Sequence, residues 1–172
     1  MRLFIGFTTP SEPLRTIQYS FSFSGISLTN AFHCTLKFLG EVDESRIQTI
    51  ISLLHSVHFQ PFTLAYGQLG VFPSKDHAKV LWAGLAPLEK PQQLHEGIDH
   101  ALSSFFSSEK NFIPHVTLGR IKFLQDRTSF NKALEMTVVP SISFIVDHFS
   151  LFQSELAHTG SLYTILETFP AR

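Results

Sequence analysis

The stretch "HCTLKFLG" at residues 33–40 sets a histidine, a threonine and a lysine at alternate positions of a run that otherwise reads as a buried strand. Successive side chains of a strand point to opposite faces. His33, Thr35 and Lys37 therefore share one face, while Phe32, Cys34, Leu36 and Phe38 share the other. The second set is a core face. The first carries polar groups that a core does not need, and "HVTLGR" at 115–120 repeats the pattern. There His115, Thr117 and Gly119 share a face, Val116 and Leu118 lie behind them, and Arg120 formally points away from His115.

Working outward, alternating and β-branched runs predict strands at 2–7, 31–40, 62–72, 79–85, 115–123, 143–152 and 161–169. Apolar residues at 47, 50, 51, 54 and 57 have helical spacing and predict a helix over 43–57. A second helix is expected over 91–106, opening at Pro91 in a favoured first-turn position, and a third over 126–135. The Ser/Phe-rich 11–30 stretch is ambiguous, with a short helix expected before Gly25.

The spacing from His33 to His115 is 82 residues, as it is from Thr35 to Thr117 and from Leu36 to Leu118. The same offset carries Phe62 onto Phe144, and Val80 and Leu81 onto Leu162 and Tyr163. A constant offset across several elements points to an internal duplication. Residues 1–172 are thus expected to form one domain of two duplicated halves, with one His-x-Thr from each on either side of a central cleft.

Composition narrows the function classes. A chain of 172 residues with 44% hydrophobic residues and 18 phenylalanines can bury a sizeable core, and 16% charged residues argue against disorder. A formal net charge of −1 argues against coating nucleic acid through a broad basic face, though a nucleic-acid end can be held locally. One cysteine allows no intramolecular disulfide. The "MRLFIGFTTP" start has too short an apolar run for a secretory signal, and no run approaches the ~20 residues of a membrane-spanning helix, so a soluble, cytoplasmic protein is expected.

Two imidazoles facing one cleft suit proton transfer near pH 7, because a reference pKa of ~6.5 lets one donate while the other accepts. A threonine hydroxyl on the same face can hydrogen-bond an anionic oxygen. Gly119 would leave room for substrate. Such a set suits phosphoester cleavage without a metal. Other candidates are weaker. Cys34 lies on the core face, where thiols are inert. In "HEGIDH" (95–100) the histidines are five apart, off the spacing that aligns metal ligands on a helix, and both are expected at the surface. His55 and His58 suit a helix C-terminus, and His77, His148 and His158 show no partner pattern. Trp82 is expected in the core, with stacking on a base the alternative.

The pair "HCTLKFLG" and "HVTLGR", with "RLFIGFTTP", "VLWAGL" and "FSLFQSELAHTGSLYTILETF" around them, resembles the 2H phosphoesterase superfamily. Within it the chain looks like the RNA 2′,3′-cyclic phosphodiesterase branch, historically called 2′–5′ RNA ligase. The resemblance implies a bilobal α+β fold: two antiparallel sheets related by a pseudo-twofold around a central cleft, helices outside, and no metal or other cofactor. It further implies that His33 is the proton donor to the leaving 3′ oxygen and His115 the proton acceptor that activates water. Thr35 and Thr117 match the threonines that hold phosphoryl oxygens, and Arg120 the arginine that closes the second motif. The implied partners are RNA 3′ ends or small cyclic-phosphate nucleotides, with no membrane and no obligate protein partner, and ATP-independent joining of RNA ends would be the reverse chemistry. The chain departs from the family where a clearer helix and a Trp-Val-type lead usually precede the first motif, and in having Lys79 before "VLW" where arginine is frequent. The rival readings are a nucleotide-binding module without catalysis, a metal-dependent hydrolase using some of the nine histidines, and a related phosphodiesterase acting on another small cyclic nucleotide.

Overall fold

The computed structural model describes residues 1–157 and 160–172. Its strands are β1 (Arg2–Thr8), β2 (Ile26–Leu28), β3 (His33–Glu41), β4 (Phe62–Phe72), β5 (Val80–Ala86), β6 (His115–Ile121), β7 (Ser143–Val146), β8 (His148–Ala157) and β9 (Gly160–Pro170). Four α-helices join them: α1 (Glu12–Gln18), α2 (Ile47–Leu54), α3 (Glu89–Ala101) and α4 (Arg127–Met136). The strands run in the order β7-β4-β5-β6-β3-β1-β8-β9, antiparallel throughout, with the short β2 paired to β6. This is the expected α+β architecture. The two sheets are the two four-stranded halves of one continuous sheet, joined where β3 meets β6 at a single bridge, Cys34 opposite Val116.

Each helix buries an apolar stripe against the sheet. Leu14 and Ile17 of α1, Ile50 and Leu54 of α2, Leu94 and Ile98 of α3, and Phe130 and Leu134 of α4 join Leu36, Leu64, Leu81, Val116, Leu118 and Leu151 of the strands in one core. The opposite face of the sheet around β3 and β6 is left open as the cleft. Helix α2 is shorter than its apolar periodicity predicts, because residues 44–46 form a tight turn in which the Asp43 carboxylate accepts from the Ser45 backbone N–H at 2.9 Å. Helix α3 likewise ends at Ala101, before the expected 106.

Two expectations are corrected by the topology. "SFIVDHFSLF" is not one strand: it divides at Asp147, so that β7 pairs with β4 in one half and β8 pairs with β1 in the other. One segment therefore serves two ladders that lie at opposite ends of the sheet. The 82-residue offset, moreover, matches structure only at the two motifs. The strand order mirrors β3 with β6, β1 with β5, β8 with β4 and β9 with β7. Phe62 and Phe144 instead lie on adjacent, mutually paired strands, and the mirror partner of β5 is β1 rather than the strand bearing Leu162 and Tyr163. Apolar alternation recurs in every strand, so a constant offset finds matches that topology does not share.

β1 and β3 approach closely at Gly6, which pairs opposite Thr35; a Cβ there would run into the Cys34 carbonyl, a backbone atom that cannot swing aside. Gly6→Ala is expected to destabilise the protein by roughly 1–3 kcal/mol or more. Gly67→Ala, whose Cβ would meet nothing nearer than 3.5 Å, is expected to be nearly neutral. Denaturant midpoints of the two variants check the difference.

Candidate active site

The bridge between β3 and β6 decides how the two motifs meet. Cys34 opposes Val116 in an antiparallel ladder, so continuing the register sets His33 across from Thr117 and Thr35 across from His115. Side chains directly opposite one another share a face. Cys34 and Val116 are fully buried at the core, and the two histidines and two threonines stand half-buried together on the cleft side. Each histidine thus faces the threonine of the other motif.

Both strands then carry a bulge at the leucine after the threonine. In the β1–β3 ladder Ile5 pairs with Lys37 and Gly6 with Thr35, leaving Leu36 extra; in the β5–β6 ladder Leu81 pairs with Gly119 and Trp82 with Thr117, leaving Leu118 extra. A bulge shifts the alternation by one residue and re-aims the side chains beyond it. Strict alternation therefore misassigns four residues. Lys37 does not stay with His33 and Thr35 but turns inward, 3% exposed, while Phe38 turns out to 63% exposed on the cleft side, 6.1 Å from the Phe4 ring. Arg120 does not point away: it pairs opposite Val80 on the face of Trp82 and His115, and its charge lowers the pKa of His33. Gly119, finally, makes room for β2 rather than for substrate, since a Cβ there would press on Ser27 O at 3.1 Å and on Ile26 and Leu28 at 3.2 Å.

Aromatic rings wall both imidazoles. His33 lies 4.9 Å from Phe4, 4.9 Å edge-on from Tyr163 and 6.4 Å from Phe152. His115 lies 5.0 Å edge-on from Phe72 and 6.0 Å from Trp82, which stack on each other at 4.8 Å. Trp82, expected in the core, is half-buried on the cleft side. Burial among these rings disfavours the charged imidazole. It drives the His33 pKa from 6.5 down to about 4; hydrogen bonding to the Ala31 backbone opposes the shift, and the His115 and Arg120 charges reinforce it. The His115 pKa is lowered by burial too, against the Ile113 hydrogen bond and the Glu109 carboxylate, which raise it. The Ile113 carbonyl lies 2.7 Å from His115 Nδ1. A carbonyl only accepts, so Nδ1 carries the hydrogen and Nε2 of the neutral ring is left with its lone pair.

Sequence reasoning missed one group altogether. His95, expected at the surface, is 4% exposed and its neighbour on the helix Asp99 is 6% exposed; of the two histidines of "HEGIDH", His100 alone is exposed. They lie on the buried stripe of α3 with Pro91, Leu94 and Ile98, a helical spacing that could have revealed them. Of the other histidines, His55 packs edge-on to Phe169 at 4.9 Å, and His148 Nδ1 lies 2.6 Å from Asp147 Oδ1. His158 lies outside the described residues. The Cys34 thiol is fully buried and its pKa is pushed up to about 12 by that burial. Among the described residues no three of His, Cys, Asp and Glu converge as a ligand set, and no helix is long and apolar enough to cross a membrane.

Two histidines and two threonines on one face of paired strands are an arrangement that can transfer protons and donate hydroxyl hydrogen bonds to an anion. Comparison with known proteins shows the family. The profile of the 2′-5′ RNA ligase superfamily matches residues 9–157. The RNA 2′,3′-cyclic phosphodiesterase of Methanocaldococcus jannaschii is 32% identical over 97% of this chain and 99% of its own length, and that of Thermotoga maritima is 36% identical over 78% and 72%. Among solved structures, TT0787 of Thermus thermophilus superposes with a TM-score of 0.82 at 28% identity, covering 100% of this chain and 98% of its own. Escherichia coli LigT in apo form superposes at 0.75 and 26%, covering 99% and 96%. The chain belongs to the 2′-5′ RNA ligase superfamily of 2H phosphoesterases.

Both cleft histidines have pKa values below the reference value, so between pH 6.5 and about 4 the unfolded chain binds more protons than the folded one. Stability is therefore expected to fall as pH drops through that window, beginning above the range in which carboxylates titrate. Denaturant midpoints measured from pH 7 to 4 should show the loss, and a His33→Asn/His115→Asn double variant should flatten it.

Proposed function

We propose that this chain hydrolyses RNA 2′,3′-cyclic phosphate ends to 2′-phosphomonoesters, using two histidines as acid and base and no metal. The observation that carries the reading is the β3–β6 register, which sets His33 against Thr117 and His115 against Thr35 on one open face. The activity named for the similar archaeal and bacterial proteins supports it, as does the solution of the similar LigT structure in complex with 3′-AMP. The partners are RNA 3′ ends or small cyclic-phosphate nucleotides. The mirror order of strands around the bridge supports an origin of the two halves by internal duplication.

In the proposed reaction His115 Nε2 removes a proton from water as its oxygen bonds to phosphorus. The bond from phosphorus to the 3′ oxygen breaks, and His33 gives its proton to that oxygen. A 2′-phosphomonoester and a free 3′ hydroxyl result, and the histidines exchange protons with solvent before the next turnover. Thr35 and Thr117 hydroxyls hold the phosphoryl oxygens, and Arg120 balances their charge. With a 5′ hydroxyl in place of water as the nucleophile, the same transfers join RNA ends through a 2′–5′ phosphodiester. His33, neutral at pH 7 in the free protein because of its burial, gains a proton when the phosphodiester anion enters and offsets the neighbouring positive charge.

His33→Ala and His115→Ala are each expected to lower kcat at least 10²–10⁴-fold, and the double variant little further, because the two act as a unit. Thr35→Ala and Thr117→Ala should cost less, about 1.5–3 kcal/mol for a hydrogen bond to a charged oxygen. Turnover of a panel of cyclic-phosphate substrates, with and without EDTA, is the assay. A histidine variant with near-normal turnover would favour the binding-module reading, and EDTA loss restored by zinc the metal-dependent one.

The pH dependence follows from the lowered histidine pKa values. kcat/KM reports the free protein, so its bell is expected to lie on the acid side of neutrality, with its lower limb near 4 and its upper limb below 6.5. kcat reports the complex, in which the bound anion raises both groups, so its optimum should lie at higher pH. Coincident optima for kcat and kcat/KM would contradict this account.

A further inference from the structure

Lys37, Asp99 and His95 are buried polar side chains that take no part in the proton transfers proposed above. Lys37 comes after the β3 bulge and pairs with Asp99 of α3. Burial alone would raise the Asp99 carboxyl pKa, but Lys37, Ser108 and the Glu109 N–H hold it below the usual carboxylate range. Desolvating such a pair is expensive, and apolar residues of similar volume often serve stability as well or better. The contacts show what the group secures instead.

Lys37 Nζ donates to the Ser107 carbonyl at 2.9 Å. Asp99 Oδ2 accepts from Ser108 Oγ at 2.7 Å and from the Glu109 N–H at 2.8 Å. His95 Nδ1 donates at 2.7 Å to the carbonyl of Leu36, the extra residue of the bulge, and its ring stacks on Phe112 at 4.3 Å. One buried group thus fastens both the bulge after Thr35 and the chain over 107–112. That chain continues through Ile113, whose carbonyl accepts from His115 Nδ1. Asn111, Phe112 and Ile113, with Thr35, Phe38 and His115, line a cavity of about 140 Å³ beside the two motifs.

We propose that Lys37, Asp99 and His95 are positioning residues for His115: by fastening the 107–112 segment they hold the Ile113 carbonyl on Nδ1 and so keep Nε2 free to act as base. The segment, rather than β6 alone, then sets which ring nitrogen faces the cleft. The inference rests on the function proposed above, and it predicts that removing the buried pair damages His115 without unfolding the protein.

The test is the Lys37→Met/Asp99→Leu double variant of the full chain, which replaces the pair by apolar side chains. Three properties are measured: the thermal midpoint, kcat on a 2′,3′-cyclic nucleotide, and the His115 tautomer from ring ¹⁵N shifts. The thermal midpoint is expected to stay near that of the parent, while kcat falls at least tenfold and the His115 ring passes from the Nδ1–H form to a mixture of tautomers. A folded variant that keeps the Nδ1–H form, or keeps parental kcat, overturns the proposal. Should the double variant not fold, Asp99→Asn is read by the same measurements and the same criteria. His115→Ala separates the two readings: near-normal turnover there would sink the catalytic assignment, whereas the tautomer measurement, which needs no turnover, still decides the positioning.

Discussion

The rest of the site depends on one antiparallel bridge. Between the two four-stranded halves of the sheet only Cys34 and Val116 are paired across β3 and β6. A slip of either strand by one residue there would turn all of its side chains to the other face, putting its imidazole into the core and, for β3, Cys34 into the cleft. The fully buried Cys34, Leu36, Val116 and Leu118 oppose that slip, since exposing them would forfeit burial worth about 1.5–3 kcal/mol for each large side chain. The core chemistry of the motif therefore fixes the register of its polar face. Mirror strand order then makes one histidine of each half the neighbour of the other half's threonine.

The bulges at Leu36 and Leu118 add a second level of control. Each keeps the His-x-Thr alternation up to the threonine and then shifts it by one. Arg120 is thereby turned into the cleft beside His33, and Lys37 is turned inward onto Asp99. One device at equivalent places in the two strands has opposite consequences. The second half gains a cation that can face an anionic phosphodiester, while the first half gains a buried anchor for the segment leading to His115.

Aromatic burial explains why the free site is poised as it is. Phe4, Phe152 and Tyr163 around His33, and Phe72 and Trp82 around His115, remove the water that would stabilise an imidazolium. A site with two neutral rings and one arginine favours an incoming anion, and the same low-polarity walls strengthen each hydrogen bond to it once water is excluded.

Local period and residue type were enough for the two motifs, the face on which His33, Thr35, His115 and Thr117 stand, and the inert burial of Cys34, while the α+β class came from the family resemblance those motifs carry. Helix ends, the division of 143–157 at Asp147 and the pairing of the halves belonged to tertiary structure, since ladders join residues far apart in the chain. The faces of Lys37, Phe38, Gly119 and Arg120 could not be read locally either. A bulge leaves no mark in the alternation of residue types and is visible only against the partner strand, where Ile5 and Gly6, or Leu81 and Trp82, skip one residue. His95 and Asp99 were legible in principle, through their spacing from Leu94 and Ile98, but only the fold supplied the buried lysine and backbone groups that make their burial tolerable.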